Sequence, residues 1–389
     1  PGTKVIITSR WPDWIGRAVE LKLGVFEEPV ATEFLQKRAT RTDPGGAIRL
    51  AAALGSLPLA LDHAAAYCKL TALSFDNYLG RIDEHVGRAP RGATYPMSIA
   101  ATFGLAIETA SKEHEDAELL LGIFSFMAPE RIPLELVPNR IIANVAKAEA
   151  VAALYSVSLV EPLRDESGTT VLTVHPLVQA AMRLRLTERK RLDETASLAA
   201  MLLTEAFPTT ALSDPNDWPR CAGLLPHALA LRDILAGGNH FDTQACRLFY
   251  RAANYLHIRG AYLAAEQLYR EALALAEHDP GATTSDTDSM SSDLAQLLST
   301  VGRYAEAEPI MRQVINNGEI ALGRQHLEVA KRLNNLARLL SDTKRYDEAE
   351  PLLRAAIAIA DTTVSGDVAS AVAWRNNLGI LLNETGRNS

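Results

Sequence analysis

The chain has 389 residues, of which 48% are hydrophobic and 22% charged, and its net charge is −8. This composition excludes a disordered chain, and the acidic balance argues against a nucleic-acid binder that relies on bulk positive charge. No apolar stretch approaches the roughly 20 residues of a membrane span, and no signal peptide is visible. The length predicts two or three domains.

The three cysteines, Cys68, Cys221 and Cys246, lie far apart in the sequence. They form neither a CxxC pair nor a disulfide framework, so we expect reduced thiols in a reducing, cytoplasmic compartment. The sequence predicts no catalytic residues and no metal site.

The first residues predict strands. The β-branched run from Lys4 to Thr8 is typical of a strand buried on both faces. It ends at Arg10, and residues 21–25 predict a second short strand. Because Pro1 leads directly into a strand core, we expect the chain to be a fragment of a longer protein.

Residues 27–71 predict helices. A helical face begins after Glu27 and includes Phe34 and Arg38. A second helix, from Ala47 to Leu54, is predicted to end at Gly55 as its C-cap. Pro58 then suits the first turn of another helix because its φ angle is fixed.

These segments together resemble a known family. A strand ending in Thr-Ser-Arg at Arg10 is followed by Phe-Leu-x-x-Arg from Phe34 and by Leu-Gly-Ser-Leu-Pro-Leu-Ala-Leu from Leu54. This order resembles the nucleotide-binding region of STAND-type NTPases, the NB-ARC or AP-ATPase family. The resemblance implies that ADP or ATP is the cofactor, that Arg10 is the sensor 1 arginine and that Pro58 packs against the adenine. Ser56 departs from the family's Gly-Leu-Pro-Leu spacing.

The phosphate-binding part of that family is not in this sequence. No Gly-x-x-x-x-Gly-Lys-Ser/Thr occurs in it, and no apolar strand ending in paired acids precedes Lys4. These motifs supply the backbone cradle, the phosphate lysine and the Mg²⁺ ligand. The resemblance implies that they lie N-terminal to Arg10 in a parent NTPase. We therefore expect no ATP hydrolysis by these residues alone.

Residues 96–192 predict a winged helix. Helices are predicted at 99–109, 113–127 and 149–159, with a proline-rich loop at 128–133. Residues 160–163 and 171–174 then predict a hairpin around a turn at 165–168.

A winged helix raises DNA binding as an alternative function. It is supported by basic residues at Arg183, Arg185, Arg189, Lys190 and Arg191. Leucines interleave with them, however, which is also typical of one solvated face of an amphipathic helix. Nucleic-acid binding is therefore not the favoured prediction.

His175 lies between a predicted strand and a helix, in Val-His-Pro-Leu-Val-Gln. A histidine there can simply cap or pack. The family resemblance implies more, because STAND proteins carry the histidine of a Met-His-Asp motif here, which contacts the β-phosphate of ADP. A histidine can donate a hydrogen bond to a phosphate oxygen beside a helix N-terminus. Val174 and Pro176 replace the flanking Met and Asp.

Residues 247–387 repeat. Equivalent turn positions recur every 42 residues, at Gly260, Gly302, Lys344 and Gly386. Leucines upstream of them and an Ala-Glu pair downstream of the first three keep the same register. Such a period predicts stacked helix–turn–helix units, for example a helix from Val329 to Leu340 and another from Asp347 to Ala360.

This is the tetratricopeptide pattern, and the 42-residue version resembles kinesin light chain repeats, most closely from Leu322 to Ala337. The resemblance implies that polar residues of each first helix line a groove for a protein or peptide. The predicted groove residues are Arg251, Asp293, Asn334, Asn335, Asn376 and Asn377. Ordinary solvated positions are the alternative interpretation.

Three further expectations concern the repeats. Residues 280–290 are rich in Gly, Ser, Thr and Asp and predict a mobile loop. Lys344 lacks the backbone freedom of the glycines at its register, so its turn is expected to differ slightly. Because no polar cap follows the last unit, we expect the array to continue beyond the sequence.

The predicted fold is mainly α, with a remnant of an α/β nucleotide-binding domain. We predict nucleotide-binding strands at 1–25, a helical subdomain at 26–95, a winged helix at 96–192, a helical bridge at 193–240 and a tetratricopeptide solenoid at 241–389. The leading hypothesis is a STAND-type signalling ATPase whose repeats sense a protein or peptide. Nucleotide exchange would release its inhibited state, and the released protein would form oligomers. The alternatives are a scaffold without nucleotide and a winged-helix transcription regulator.

Overall fold

The computed structural model describes residues 25–80, 99–165, 168–209, 214–236, 243–278, 283–362 and 368–387. The predicted strands of residues 1–25, with Arg10, lie outside these ranges. The described residues are mainly helical, as predicted, and form two compact units. Unit 1 contains residues 1–206 and 226–238, and unit 2 contains 207–225 and 239–389. The five predicted regions, which place a bridge at 193–240, stay a prediction.

Unit 1 begins with four helices, α1 (Glu28–Ala39), α2 (Pro44–Ala53), α3 (Pro58–Thr71) and α4 (Phe75–Leu79). Prolines stand in the first turn of α1, α2 and α3, where no backbone N–H is needed. Arg38 of α1 bonds the buried Asp62 of α3 at 2.8 Å. This pair ties the Phe-Leu-x-x-Arg helix to the Leu-Pro-Leu helix.

Helices α5 (Ile99–Glu113), α6 (Ala117–Phe124) and α7 (Asn144–Ser156) follow. A three-stranded antiparallel sheet is formed by β1 (Ile132–Pro133), β2 (Glu161–Arg164) and β3 (Thr170–Thr173), with β3 in the centre. The hairpin predicted from the sequence is confirmed, with Glu161 opposite Thr173 and Arg164 opposite Thr170.

Two helices follow the sheet, α8 (Pro176–Glu188) and α9 (Leu192–Ala206). The sequence pattern from Thr187 to Phe207 is that of one long helix, and this interpretation is wrong, because two helices meet there. Helix α8 ends at Glu188, and Lys190 adopts a left-handed φ of 57°. That conformation breaks the helix although neither glycine nor proline marks the position.

The helix α10 (Trp218–Leu235) supplies residues to both units. Unit 2 then contains α11 (Thr243–Ile258), α12 (Tyr262–His278), α13 (Thr284–Thr300), α14 (Tyr304–Leu322), α15 (Leu327–Asp342), α16 (Tyr346–Thr362) and α17 (Val368–Glu384). The predicted pair at 329–340 and 347–360 is confirmed as α15 and α16. The two helices of each repeat approach closely because small, buried alanines lie between them: Ala265, Ala307 and Ala349.

Two expectations for the repeats are wrong. Of the loop predicted at 280–290, residues 280–282 lie outside the described residues, and residues 284–290 belong to α13, because Thr283 and Asp286 form a capping box that starts the helix. Lys344 adopts the same left-handed conformation as its glycine counterparts, with φ of 60° against 74° at Gly260 and 80° at Gly302. Its N–H bonds Ser341 at 2.8 Å, as the Gly302 N–H bonds Ser299 at 3.0 Å.

No helix among the described residues has the length and the apolar character needed to cross a membrane.

Candidate functional site

The turn before Pro58 has an unusual backbone. Gly55 and Ser56 are consecutive residues with positive φ, 58° and 51°. Their N–H groups bond the carbonyls of Ala52 at 3.0 Å and Ala51 at 2.8 Å, which closes the C-terminus of α2 in a Schellman motif. Leu54 is the C-cap and Gly55 follows it. The inserted Ser56 is thus accommodated as the second left-handed residue of the turn.

Pro58 is the first residue of α3, and its side chain is exposed. A proline presented at the start of a helix offers an apolar face without an N–H that needs a partner. The adenine contact predicted for Pro58 stays a prediction.

His175 lies between β3 and α8 as the N-cap residue of α8. Its Nδ1 atom accepts the backbone N–H of Leu177 at 3.1 Å. In the neutral ring the proton is then on Nε2, which can donate to another group. Burial lowers the pKa of His175 and favours this neutral form.

The structure brings His175 and the turn before Pro58 together. A β-carbon built on Gly55 would lie 1.9 Å from Nε2 of His175, so the imidazole occupies the space that a side chain at 55 would need. Helix α8 also shares one hydrophobic core with α1 to α4, because its residues Leu177, Ala180 and Ala181 pack with the buried residues of those helices. Two motifs that are about 120 residues apart thus share one edge of unit 1.

The basic residues of α8 are engaged within unit 1. Arg185 bonds Glu118 at 3.2 Å and Glu108 at 3.3 Å, and Arg189 bonds Glu118 at 2.6 Å. Arg183 donates to the carbonyl of Ser125 at 2.5 Å, beside the end of α6. Arg183 and Arg185 are half-buried and bonded within unit 1, whereas Arg189, Lys190 and Arg191 are exposed, as the solvated face suggested by the leucine pattern requires.

The predicted groove residues of unit 2 lie on the first helix of each repeat. Asn377 donates to Asn334 at 3.0 Å, so the structure brings this pair together. Asn335 is half-buried and Asn376 is exposed. Arg251 donates to the Phe207 carbonyl at 3.2 Å, and burial lowers its pKa.

Asp293 has a partner that sequence reasoning missed. Its Oδ2 accepts the hydroxyl of Tyr250 at 2.6 Å, and burial raises the pKa of this carboxyl group. Tyr250 and Asp293 are 43 residues apart, as are Asn334 and Asn377. The repeat register could have indicated this role of Tyr250, because Tyr250 stands 84 positions, or two 42-residue periods, before Asn334. A polar bond between successive first helices therefore recurs along the array.

Among the described residues, no group of His, Cys, Asp and Glu side chains could hold a metal ion. The three cysteines are buried and form no disulfide with one another, and burial raises the pKa of Cys68 and of Cys221 to about 11. Such thiols are unreactive at neutral pH.

Parts of this chain are similar to known proteins. A tetratricopeptide repeat family model matches residues 244–320 and 286–362. These residues are tetratricopeptide repeats. A nucleotide-binding leucine-rich repeat (NLR)-like protein of Hyaloscypha variabilis is 25% identical over 247 residues, which cover 58% of this chain and 24% of that protein. The chain thus spans about a quarter of that relative's length.

Two solved structures are similar to parts of the chain. BtubC (BKLC) from P. vanneervenii is 19% identical, with a TM-score of 0.39 over 53% of this chain and 78% of that one. A Signal Transduction ATPase with Numerous Domains (STAND) protein with a tetratricopeptide repeat sensor, from Pyrococcus horikoshii, is 13% identical, with a TM-score of 0.35 over 93% of this chain and 51% of that one. The repeat model confirms the predicted tetratricopeptide repeats, and the partial similarity to a nucleotide-binding relative agrees with the STAND-type resemblance.

Proposed function

We propose that this chain is part of a signal-transduction switch in which ADP or ATP binds unit 1 and a protein or peptide binds the repeats. The observation that supports it most is the contact between Nε2 of His175 and the turn at Gly55, just before Pro58. The two motifs with a predicted role at the nucleotide meet there, although they are distant in sequence. Nucleotide exchange would change this contact and release an oligomer-forming state.

The chemistry of His175 suits a phosphate contact. The Leu177 N–H fixes Nδ1 as an acceptor, so Nε2–H is the donor that a phosphate oxygen needs. Its position as the N-cap of α8 adds the positive end of a helix dipole. Pro58 would contact the adenine with its exposed ring. ADP or ATP would supply the phosphate charge, and the P-loop predicted upstream would supply most of the phosphate contacts.

Residues 99–188 support the winged-helix part of the proposal. The order is two helices, a short strand, a third helix and a two-stranded hairpin, all before α8. In this arrangement the hairpin leads directly into His175. The proposed domain would therefore carry the histidine toward or away from the turn at Gly55 when it moves.

The test is ADP affinity of the full-length gene product, measured by calorimetry with His175→Ala and Pro58→Ala variants. We expect each substitution to weaken binding by about tenfold, the loss of one hydrogen bond or one apolar contact. The matched control is His326→Ala, because His326 caps α15 through the same bond, from the Glu328 N–H to Nδ1 at 3.1 Å. Unchanged affinity in both variants would remove the site assignment.

A scaffold that binds proteins without nucleotide is the second candidate. It is favoured by the recurrent polar bonds on the first helices, Tyr250–Asp293 and Asn334–Asn377, which concern the repeats alone. It predicts that the gene product binds no ADP, whereas the switch predicts ADP binding. A transcription regulator is disfavoured because Arg183 and Arg185 bond groups within unit 1. We propose a cytoplasmic location and no nucleic-acid partner.

A further inference from the structure

Successive first helices of the described repeats meet at three junctions: α11 with α13, α13 with α15, and α15 with α17. The 42-residue period lets equivalent positions be compared at each junction. At the first junction, the hydroxyl of Tyr250 donates to Asp293 at 2.6 Å. At the third junction, Asn377 donates to Asn334 at 3.0 Å. We call such a bond between two first helices the polar bridge of its junction.

The second junction lacks a polar bridge. Its equivalent residues are Ser292 on α13 and Asn335 on α15. Both are half-buried, and their side chains do not bond each other in the described part of the chain. The hydroxyl of a serine lies one bond beyond its β-carbon, so it reaches less far than the amide of Asn334 or the phenol of Tyr250. No side-chain bond at these positions therefore joins α13 to α15.

Behind the polar bridges, a second pair of equivalent positions lies in the core. At the first junction these positions hold Cys246 and Met290, which are both buried, with their sulfur atoms 3.8 Å apart. At the third junction they hold the buried Ala330 and Trp374. Both pairs are of the kind that packs without directional bonds, and their burial stabilises the junction through the hydrophobic effect.

The second junction has charged residues at the same core positions. Asp288 and Arg332 are 5% and 6% exposed, and their charged atoms are 3.2 Å apart. Arg332 also donates to the Val314 carbonyl at 2.7 Å, but its Nε atom has no hydrogen-bond partner. A buried ion pair is often no more stabilising than apolar side chains of similar volume, and an unsatisfied donor lowers its contribution further. The core of this junction is therefore the least favourable of the three.

The second helices are joined in the same way at the first two junctions. Arg303 of the second repeat bonds Glu266 of the first at 2.6 Å. Arg345 of the third repeat bonds Glu308 of the second, also at 2.6 Å. These ionic contacts do not distinguish the two junctions. The difference between them is confined to the first helices and to the core behind those helices.

We propose that the repeat array opens at the second junction, where α13 and α15 separate while the ionic contact of Arg345 with Glu308 keeps the second helices together. The stability of a repeat array is approximately a sum of repeat and interface contributions. Local opening therefore occurs first at the weakest interface. Helices α11 to α14 and α15 to α17 then move as two bodies. If a protein or peptide binds the repeats as proposed above, contact with both α13 and α15 would hold the junction closed, but the opening itself does not depend on that function.

The experiment measures each junction separately with pairs of nitroxide labels on the whole chain. Arg247, Ser289 and Lys331 stand at one register on α11, α13 and α15, and all three are exposed. Cysteines at 247 and 289 span the first junction, and cysteines at 289 and 331 span the second; the native cysteines are buried. Distances are measured by double electron–electron resonance at increasing urea concentrations. We expect the 289–331 distance to lengthen at a lower urea concentration than the 247–289 distance. A transition shared by both pairs, or one that begins at the first junction, would overturn the proposal.

A single substitution supplies the missing polar bridge. Ser292→Asn gives the second junction the pair that the third already has, because Asn335 corresponds to Asn377. We expect the fraction of molecules with the longer 289–331 distance to fall about fivefold, the effect of one added hydrogen bond. Ser292→Ala is the matched control, since it adds no bond and should leave this fraction within about twofold. Equal fractions in the two variants would also contradict the proposal. The readout is a distance within the repeats and does not require nucleotide.

Discussion

Nε2 of His175 lies 1.9 Å from the position that a β-carbon on Gly55 would occupy. Gly55 has φ of 58°, so its backbone is also in the left-handed region. The residue is therefore restricted to glycine for two separate reasons, a steric one and a conformational one. The two can be separated by mutation.

We expect Gly55→Ala to lower the free energy of unfolding of unit 1 by about 3 kcal/mol, from backbone strain and displacement of the imidazole. Gly168→Ala is the control, since Gly168 lies in the same unit with φ of 82° and a β-carbon added there would meet no atom within 4 Å. We expect this control substitution to lower the free energy of unfolding by about 1 kcal/mol. Urea denaturation followed by circular dichroism measures both.

The steric part is tested by adding His175→Ala to Gly55→Ala. Because the smaller side chain at 175 frees the space, we expect the double variant to be more stable than the sum of the single changes predicts. Additive losses would show that the two side chains do not compete for one space.

Lys344→Gly should stabilise the repeats by about 1 kcal/mol. Lys344 has φ of 60° at the register where Gly260, Gly302 and Gly386 stand, and the left-handed region is costly for any side chain with a β-carbon. Lys344→Ala removes the same charge but keeps the strain, so its effect should stay within about 0.5 kcal/mol. Thermal denaturation ranks the two variants, and equal stabilities would contradict the prediction.

The buried pair Asp288–Arg332 should behave as a unit. Their charged atoms are 3.2 Å apart, and Asp288 also accepts from Asn317 at 2.9 Å. We expect Asp288→Ala to cost roughly 3 to 5 kcal/mol because Arg332 is left buried without its counter-charge. Its Nε atom already has no hydrogen-bond partner.

The repeat register suggests how to restore stability. Position 288 corresponds to Ala330, and position 332 corresponds to Met290. Adding Arg332→Met to Asp288→Ala should bring the free energy of unfolding back to within about 1 kcal/mol of the original chain. A double variant as unstable as the single one would mean that the pair has no apolar equivalent here.

His227 should make unit 1 sensitive to mild acid. Burial lowers its pKa to about 4, and a hydrogen bond with the Arg131 backbone opposes this only in part. The unfolded state, with an ordinary pKa near 6.5, binds the proton more readily, so stability falls as pH drops from about 6.5 toward 4. Between pH 7.5 and 5.0 this group accounts for about 2 kcal/mol.

His227→Leu should therefore reduce the loss of stability between these pH values by about 2 kcal/mol. It also replaces an Nδ1 atom that is buried without a hydrogen-bond partner. Denaturation curves at pH 7.5 and 5.0 give the difference.

The regular features of the fold could be predicted from the sequence. The period of apolar residues gave α15 and α16 to within two residues, because packing between repeats depends on that period. The hairpin followed from its β-branched segments and the turn between them. His175 and Gly55 were each singled out through family resemblance, but only the fold shows that they are in contact.

Other features depend on contacts that a local pattern does not contain. Lys190 adopts a left-handed conformation just after α8, which a glycine in the sequence would have indicated and a lysine does not. Residues 284–290 look like a loop by composition, yet the Thr283 cap and the buried Asp288 hold them in α13. The partners of Asp288 lie on two other helices, so their distance along the chain hides the pair.

The ionic contacts at Arg303 and Arg345 bear on how such an array changes its length. Each repeat carries an arginine that reaches back to one acid and a glutamate that receives the next arginine. A duplicated repeat would therefore bring both halves of a junction with it and match its neighbours without any new mutation. Gene duplication can lengthen this part of the protein in whole units, whereas an insertion of any other size would mismatch every junction that contains it.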